Sequence, residues 1–173
     1  MHEKNGTIEY INQYEVLLLK QATKYYIQFE AIDAKGRPGP PVPSRTDPLS
    51  FTTNPASITA LAIDETFAKD GLLMVNWTSA VGNFDYYEVE IFDAMSNIES
   101  KADRLKLDII PRGDPAYFNP ITGRYKYKID MNDQGAEFKP DTDYRVVIYS
   151  VLNTDDNQLK SAPMDYLWSL PRE

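Results

Sequence analysis

Apolar and polar residues alternate along most of the second half of the chain, in short runs bounded by turn-forming residues. Leu72-Leu73-Met74-Val75-Asn76-Trp77 and Phe84-Asp85-Tyr86-Tyr87-Glu88-Val89-Glu90-Ile91 both read as strands. So do Leu105 to Ile110, Tyr125 to Met131, Tyr144 to Leu152 and Met164 to Ser169, with Ile58-Thr59-Ala60-Leu61-Ala62-Ile63 opening the series. Lys35-Gly36-Arg37-Pro38-Gly39-Pro40-Pro41-Val42-Pro43-Ser44 is too rich in proline and glycine for helix or central strand, and reads as a loop running into a strand. Almost no helix is predicted, so the pattern points to an all-β chain.

One stretch occurs twice. Phe138-Lys139-Pro140-Asp141-Thr142-Asp143-Tyr144 repeats, 119 positions on, the pattern of Leu19-Lys20-Gln21-Ala22-Thr23-Lys24-Tyr25, and an alternating apolar strand follows each at once. An apolar residue six positions before a tyrosine that opens a strand suits a tyrosine corner, in which the hydroxyl bonds a backbone group a few residues upstream. This spacing, with threonine two before the tyrosine, resembles fibronectin type III domains. The resemblance implies an immunoglobulin-like antiparallel β-sandwich in which the repeated stretch joins strands E and F, with Tyr25 and Tyr144 as the corner tyrosines. It also implies that Trp77 of strand B and Tyr87 of strand C are core positions. The segments above then supply strands A, B, C, C′, E, F and G. Arg45-Thr46-Asp47-Pro48-Leu49 and Gly82-Asn83-Phe84-Asp85-Tyr86-Tyr87 further resemble, more weakly, the repeats of receptor-type tyrosine phosphatases.

Two departures from that family shape the expected domains. Residues 1–53 hold only the C-terminal part of a module, strands E, F and G plus a linker, whereas 54–173 hold a complete module. Half a sandwich leaves its inner face wet and its edges unpaired, a heavy cost for ~50 residues folding alone. The expectation is a chain cut from a longer one, or a first segment that borrows strands from a neighbour. The second module is also longer than the ~100 residues such sandwiches need. Its surplus lies between strands C and E, in Asp93 to Gly123.

Period-2 alternation locates a candidate binding face. With Tyr144, Val146 and Ile148 inward on strand F, Arg145, Val147, Tyr149 and Val151 turn outward; on strand C, Tyr86, Glu88, Glu90 and Phe92 do the same. Tyr86, Phe92, Val147, Tyr149 and Val151 would form one apolar patch, rimmed by Glu88, Glu90 and Arg145, of the kind that marks an interface. The competing expectation is that the insertion, through Leu105, Leu107, Ile109, Tyr117 and Phe118, folds over this face. Within the insertion, Arg112-Gly113-Asp114 resembles the tripeptide by which several matrix proteins bind integrins, its flanking prolines favouring a turn. The family's adhesive example carries that tripeptide in the F to G loop instead. Asn5-Gly6-Thr7 and Asn76-Trp77-Thr78 match the glycosylation acceptor pattern, making Asn5 and Asn76 candidate sites.

Charge and composition remove other functions. The net charge of −8, with both signs well mixed, argues against nucleic acid or an anionic membrane surface as partner. No run of ~18 apolar residues is present to span a bilayer, and the start lacks a secretory signal, so any signal or anchor lies outside this chain. Cysteine is absent and His2 is the only histidine, which leaves no parts for a triad, histidine proton transfer or a structural zinc site. Asp130-Met131-Asn132-Asp133-Gln134-Gly135 partly resembles a calcium loop but lacks flanking helices and the closing glutamate, so a plain turn is expected and no metal or cofactor is assigned. Trp168-Ser169 resembles half of the tryptophan-serine box of cytokine receptors; without its second pair, Trp168 is expected to pack. The expected role is non-enzymatic: an extracellular adhesion or receptor-ectodomain module that binds a cell-surface or matrix protein, an integrin among the candidates. The rivals are a spacer repeat without its own ligand and an accessory module of a bacterial polysaccharide-degrading enzyme, which would favour exposed tryptophans.

Overall fold

The computed structural model describes residues 2–4, 7–9, 15–44, 46–64, 72–130, 139, 142–155 and 157–169. Every described regular element is a strand, and among the described residues no helix is long and apolar enough to cross a membrane.

The strands expected of the second module are present, arranged as two packed sheets. β5 (Thr59–Asp64), β6 (Leu72–Thr78), β10 (Arg124–Asp130) and the two-residue β9 (Phe118–Asn119) lie in the order β5-β6-β10-β9. The facing sheet runs β12-β11-β7-β8, where β7 is Tyr86–Asp93, β8 Arg104–Pro111, β11 Asp143–Asn153 and β12 Gln158–Lys160, and β13 (Met164–Ser169) also pairs with β11. All pairings are antiparallel. The chain from 54 onward is therefore an immunoglobulin-like antiparallel β-sandwich, with β5, β6, β7, β8, β10 and β11 standing where strands A, B, C, C′, E and F were expected.

Strand G differs from the single run foreseen at Met164 to Ser169. It is split into β12 and β13: Ser161 still stands opposite Ser150, its N–H donating to the Ser150 carbonyl at 3.0 Å, but its Oγ rather than its carbonyl accepts the Ser150 N–H at 3.1 Å, and the register has shifted by one residue where Met164 pairs Ile148. Pro163, two residues after Ser161, has no N–H to carry a ladder onward.

Alternation decides what each sheet buries. Along β6 burial switches at every residue, so Leu73, Val75 and Trp77 point inward. They meet Tyr125 and Ile129 of β10, Tyr87, Val89 and Ile91 of β7, and Tyr144, Val146 and Ile148 of β11. Trp77 stacks on Tyr125 at 5.3 Å and takes Tyr87 edge-on at 5.4 Å. Trp168 belongs to the same cluster, tilted against Tyr144 at 5.8 Å.

The corner geometry is alike in both copies. The Tyr144 hydroxyl accepts the Lys139 N–H at 2.6 Å, and the Tyr25 hydroxyl accepts the Lys20 N–H at 2.7 Å, each reaching five residues back. Around Tyr25, β3 (Lys24–Ile27) pairs β4 (Leu49–Thr52), and the hairpin continues through bridges at Phe29–Val42 and Ile32–Pro38. A separate short hairpin joins β1 (His2–Lys4) and β2 (Thr7–Glu9). Phe29 stands 119 positions before Ile148, yet Phe29 is 61 % exposed and Ile148 is fully buried. The second copy covers this face with β5, β6 and β10; the described residues of the first hairpin have no such layer.

One charged residue sits on the inner side of a sheet edge. Lys106 of β8 is 2 % exposed, 3.6 Å from Asp108, and its Nζ donates to the Asp130 carbonyl of the opposite sheet at 2.6 Å.

Candidate functional site

Strand register assembles the outer face of the larger sheet. Opposite Tyr86, Glu88, Glu90 and Phe92 of β7 stand Val151, Tyr149, Val147 and Arg145 of β11. Beyond β11 come Lys160 of β12 and Asp165 of β13; beyond β7 come Ile109 and Leu107 of β8. The alternation expected from sequence is thus present, and it brings the named residues onto one surface.

That surface is not the exposed apolar patch anticipated. Phe92 is 1 % exposed and Val147 and Val151 are fully buried, while Glu88 and Glu90, placed on the rim by sequence, are buried at 5 % and 4 % in the middle of the face. Long side chains tile it. Lys160 pairs with Glu88, and its Nζ lies 3.7 Å from Glu90 and 4.9 Å from the centre of the Tyr149 ring. Arg104 reaches Glu90 from the other side at 2.8 Å, Gln158 donates to the Tyr86 hydroxyl, and Arg145 lies 3.6 Å from Asp165. The apolar stems of such residues cover neighbours while their charges pair at the surface. Burial, followed by the Glu90, Glu88, Glu99 and Asp165 charges, pushes the Tyr149 phenol above its usual range. Tyr86 is raised by burial and then by Glu88 and Asp85.

The apolar residues of the insertion do not fold over this surface as expected. Leu105, Leu107 and Ile109 are spent on β8 itself, with Leu105 and Ile109 exposed at 42 % and 49 %. Tyr117 and Phe118 turn to the other sheet, where the Lys126 N–H donates to the Tyr117 carbonyl at 2.9 Å and Phe118 packs against Tyr125 at 4.7 Å. The physical cause is the pairing of β9 with β10, which draws residues after Pro111 across the end of the sandwich.

Arg112-Gly113-Asp114 forms a turn with all three residues engaged. The Arg112 guanidinium lies 4.6 Å from the centre of the Phe84 ring, its Nη1 donates to the Phe84 carbonyl at 3.3 Å, and its N–H donates to the Asp85 carbonyl at 3.0 Å. Gly113 has φ of +70°, a conformation glycine adopts without penalty, and its N–H donates to the Tyr125 hydroxyl at 2.7 Å. The Asp114 carboxylate accepts the Ala116 N–H at 2.9 Å, an Asx-type turn. Burial is the main cause raising the Tyr125 phenol, opposed by its bond to Gly113.

Asn76 lies outward at the centre of β6, between Ala62 and Lys126, and is partly exposed. Asn5 and residues 131–135 of the calcium-like stretch fall outside the described residues. Trp77 and Trp168 are both buried, leaving neither for sugar stacking. Sequence reasoning missed a shallow groove of about 720 Å³ between residues 115–120 and the outer face of the smaller sheet, lined by Met74, Tyr117, Phe118, Lys126 and Lys128. Its walls come together only through the β9–β10 pairing, a contact that no local pattern signals. Among the described residues, no three of His, Cys, Asp and Glu converge as a metal-holding group.

No family model matches the chain, and no curated protein matches it. Among solved structures, the chain is similar to the fn3 domain of human collagen alpha-1(XX) chain, at 14% identity, covering 71% of this chain and 93% of that chain, with a TM-score of 0.41.

Proposed function

We propose that this chain is a non-catalytic, extracellular structural segment of tandem fibronectin type III-like modules, whose role is to hold other parts of a protein apart at a set geometry. The observation that supports a spacer over an adhesive module is the outer face of the larger sheet. Its apolar residues are covered and its central carboxylates already have partners, Lys160 and Arg104, within the same molecule. A partner docking there would have to displace these pairs, and removing one member of a buried ion pair is costly. The outward Asn76 acceptor triplet supports an extracellular setting.

Adhesion through Arg112-Gly113-Asp114 is the second reading, favoured by one observation: Arg112 and Gly113 are exposed at the end of the sandwich. Binding would require Arg112 to leave Phe84 and Asp114 to leave its turn.

The experiment is binding of the fluorescent, tetramerised chain to a panel of live animal cells, beside Asp114→Glu and Tyr149→Asp versions. The spacer reading expects no binding by folded wild type. Binding lost only with Asp114→Glu would replace it with integrin adhesion, and binding lost only with Tyr149→Asp would restore recognition to the sheet face.

A further inference from the structure

We propose that residues 53–56 form a rigid joint, so that the first hairpin and the sandwich turn as one body rather than as beads on a flexible tether. This inference rests on the spacer reading and gives it a mechanism.

On the side of the first hairpin, Thr53 is bonded three ways into the corner loop. Its hydroxyl donates to the Lys20 carbonyl at 2.6 Å and accepts the Thr23 N–H at 3.0 Å, while its own N–H donates to the Thr23 carbonyl at 3.1 Å. The next carbonyl, of Asn54, accepts the Ala22 N–H at 3.0 Å. The corner loop is itself fixed by the Tyr25 hydroxyl on Lys20.

On the side of the sandwich the chain is held from the following residue. Pro55, Ala56 and Ile58 are buried. The Ala56 carbonyl accepts a bond from the Ser150 hydroxyl in the middle of β11, and Ser57 Oγ donates to the Ala162 carbonyl at 2.8 Å, at the break between β12 and β13. Asn54, bonded to the hairpin, and Ala56, bonded to the sandwich and buried in its core, are separated by Pro55 alone, which is itself buried. Proline at the junction also fixes its own φ and restricts the residue before it. A flexible tether would show the opposite pattern, with exposed glycine and serine and no cross-chain bonds.

The absence of cysteine makes the test direct, because introduced cysteines are the only ones available for labelling. Nitroxides at Ser50→Cys and Lys128→Cys, on exposed positions of the two units, report the inter-unit distance distribution by pulsed electron paramagnetic resonance. A reference pair within the sandwich, Lys128→Cys with Asp165→Cys, gives the width contributed by the labels alone. The expected result is an inter-unit width equal to the reference in the otherwise unaltered chain, and at least twofold broader when Asn54 and Pro55 are both replaced by glycine. Thr53→Val, which keeps shape but removes the hydroxyl bonds, should broaden it to an intermediate degree, with hydrogen exchange at residues 24–27 reporting that the hairpin persists. A wild-type distribution already twice the reference width, or one unchanged by the double glycine replacement, overturns the joint. Cell binding plays no part in this readout, so failure of the joint is distinguishable from failure of the spacer role.

Discussion

Lys160→Met tests whether the outer face of the larger sheet is held together by its own ion pairs. The substitution keeps most of the stem that covers neighbouring residues and removes the ammonium, leaving Glu88 at 5 % exposure without its Lys160 partner and Glu90 with Arg104 alone. Breaking a buried pair by deleting one partner costs about 3–5 kcal/mol. The Lys160 side chain is 30 % exposed, so water can reach part of the gap, and about 2–3 kcal/mol is expected instead. Both tryptophans lie in the sandwich core, so urea unfolding followed by their fluorescence reports this unit alone. A second substitution, Glu88→Gln, added to Lys160→Met should recover most of the loss, because it removes the stranded charge. A cost below about 0.5 kcal/mol, the scale of an exposed surface pair, would refute the argument that these carboxylates depend on Lys160. A double variant no better than the single would show instead that Lys160 acts through the Tyr149 ring.

The two corners should respond unequally to loss of the hydroxyl. Tyr144→Phe, in the covered copy, is expected to cost about 1–2 kcal/mol by the same urea assay, because it strands the Lys139 N–H in a part-buried site. Tyr25→Phe should leave that transition unmoved and speed hydrogen exchange at Lys20, whose bond is exposed. High pH should weaken the sandwich. Burial raises the Tyr87, Tyr125 and Tyr149 phenols, so above about pH 10 the unfolded chain sheds protons that the folded one retains, and stability falls as pH rises. Urea midpoints measured between pH 8.5 and 11 should drop, with a shallower fall in Tyr149→Phe; a flat profile would contradict the raised phenols.

The fold was legible because its signals are local. Alternation along Leu72 to Trp77 and Tyr144 to Leu152 dictates which side chains face inward, and a tyrosine that bonds five residues back leaves a fixed spacing in the sequence. The state of the outer face was not legible in the same way. Alternation turned Phe92, Val147 and Val151 outward correctly, but their burial, and the pairing of Glu88 and Glu90 with Lys160 and Arg104 on the same face, depend on residues brought in from other strands. The same limit applies to the insertion. Its apolar residues promised a cover, and only the pairing of β9 with β10 sends Tyr117 and Phe118 to one sheet rather than the other. Arg112 and Asp114 show it at the scale of a tripeptide, since no spacing in the sequence says that Phe84 lies beneath the guanidinium.

Lys106 has a meaning for life in a crowd. In the proposed tandem arrangement modules would meet at high local concentration, and among the described residues β8 pairs with β7 on one side only, which makes it an edge strand of its sheet. A neighbour's strand adding to that edge would have to accommodate an ammonium turned into the sandwich and the irregular pairing between Ile91 and Phe92 that bends the ladder. A strand that cannot lie flat and carries a lysine on its inner side is a poor template for the next one, so the residue that ties the two sheets together also makes this edge unfavourable for pairing with a second chain.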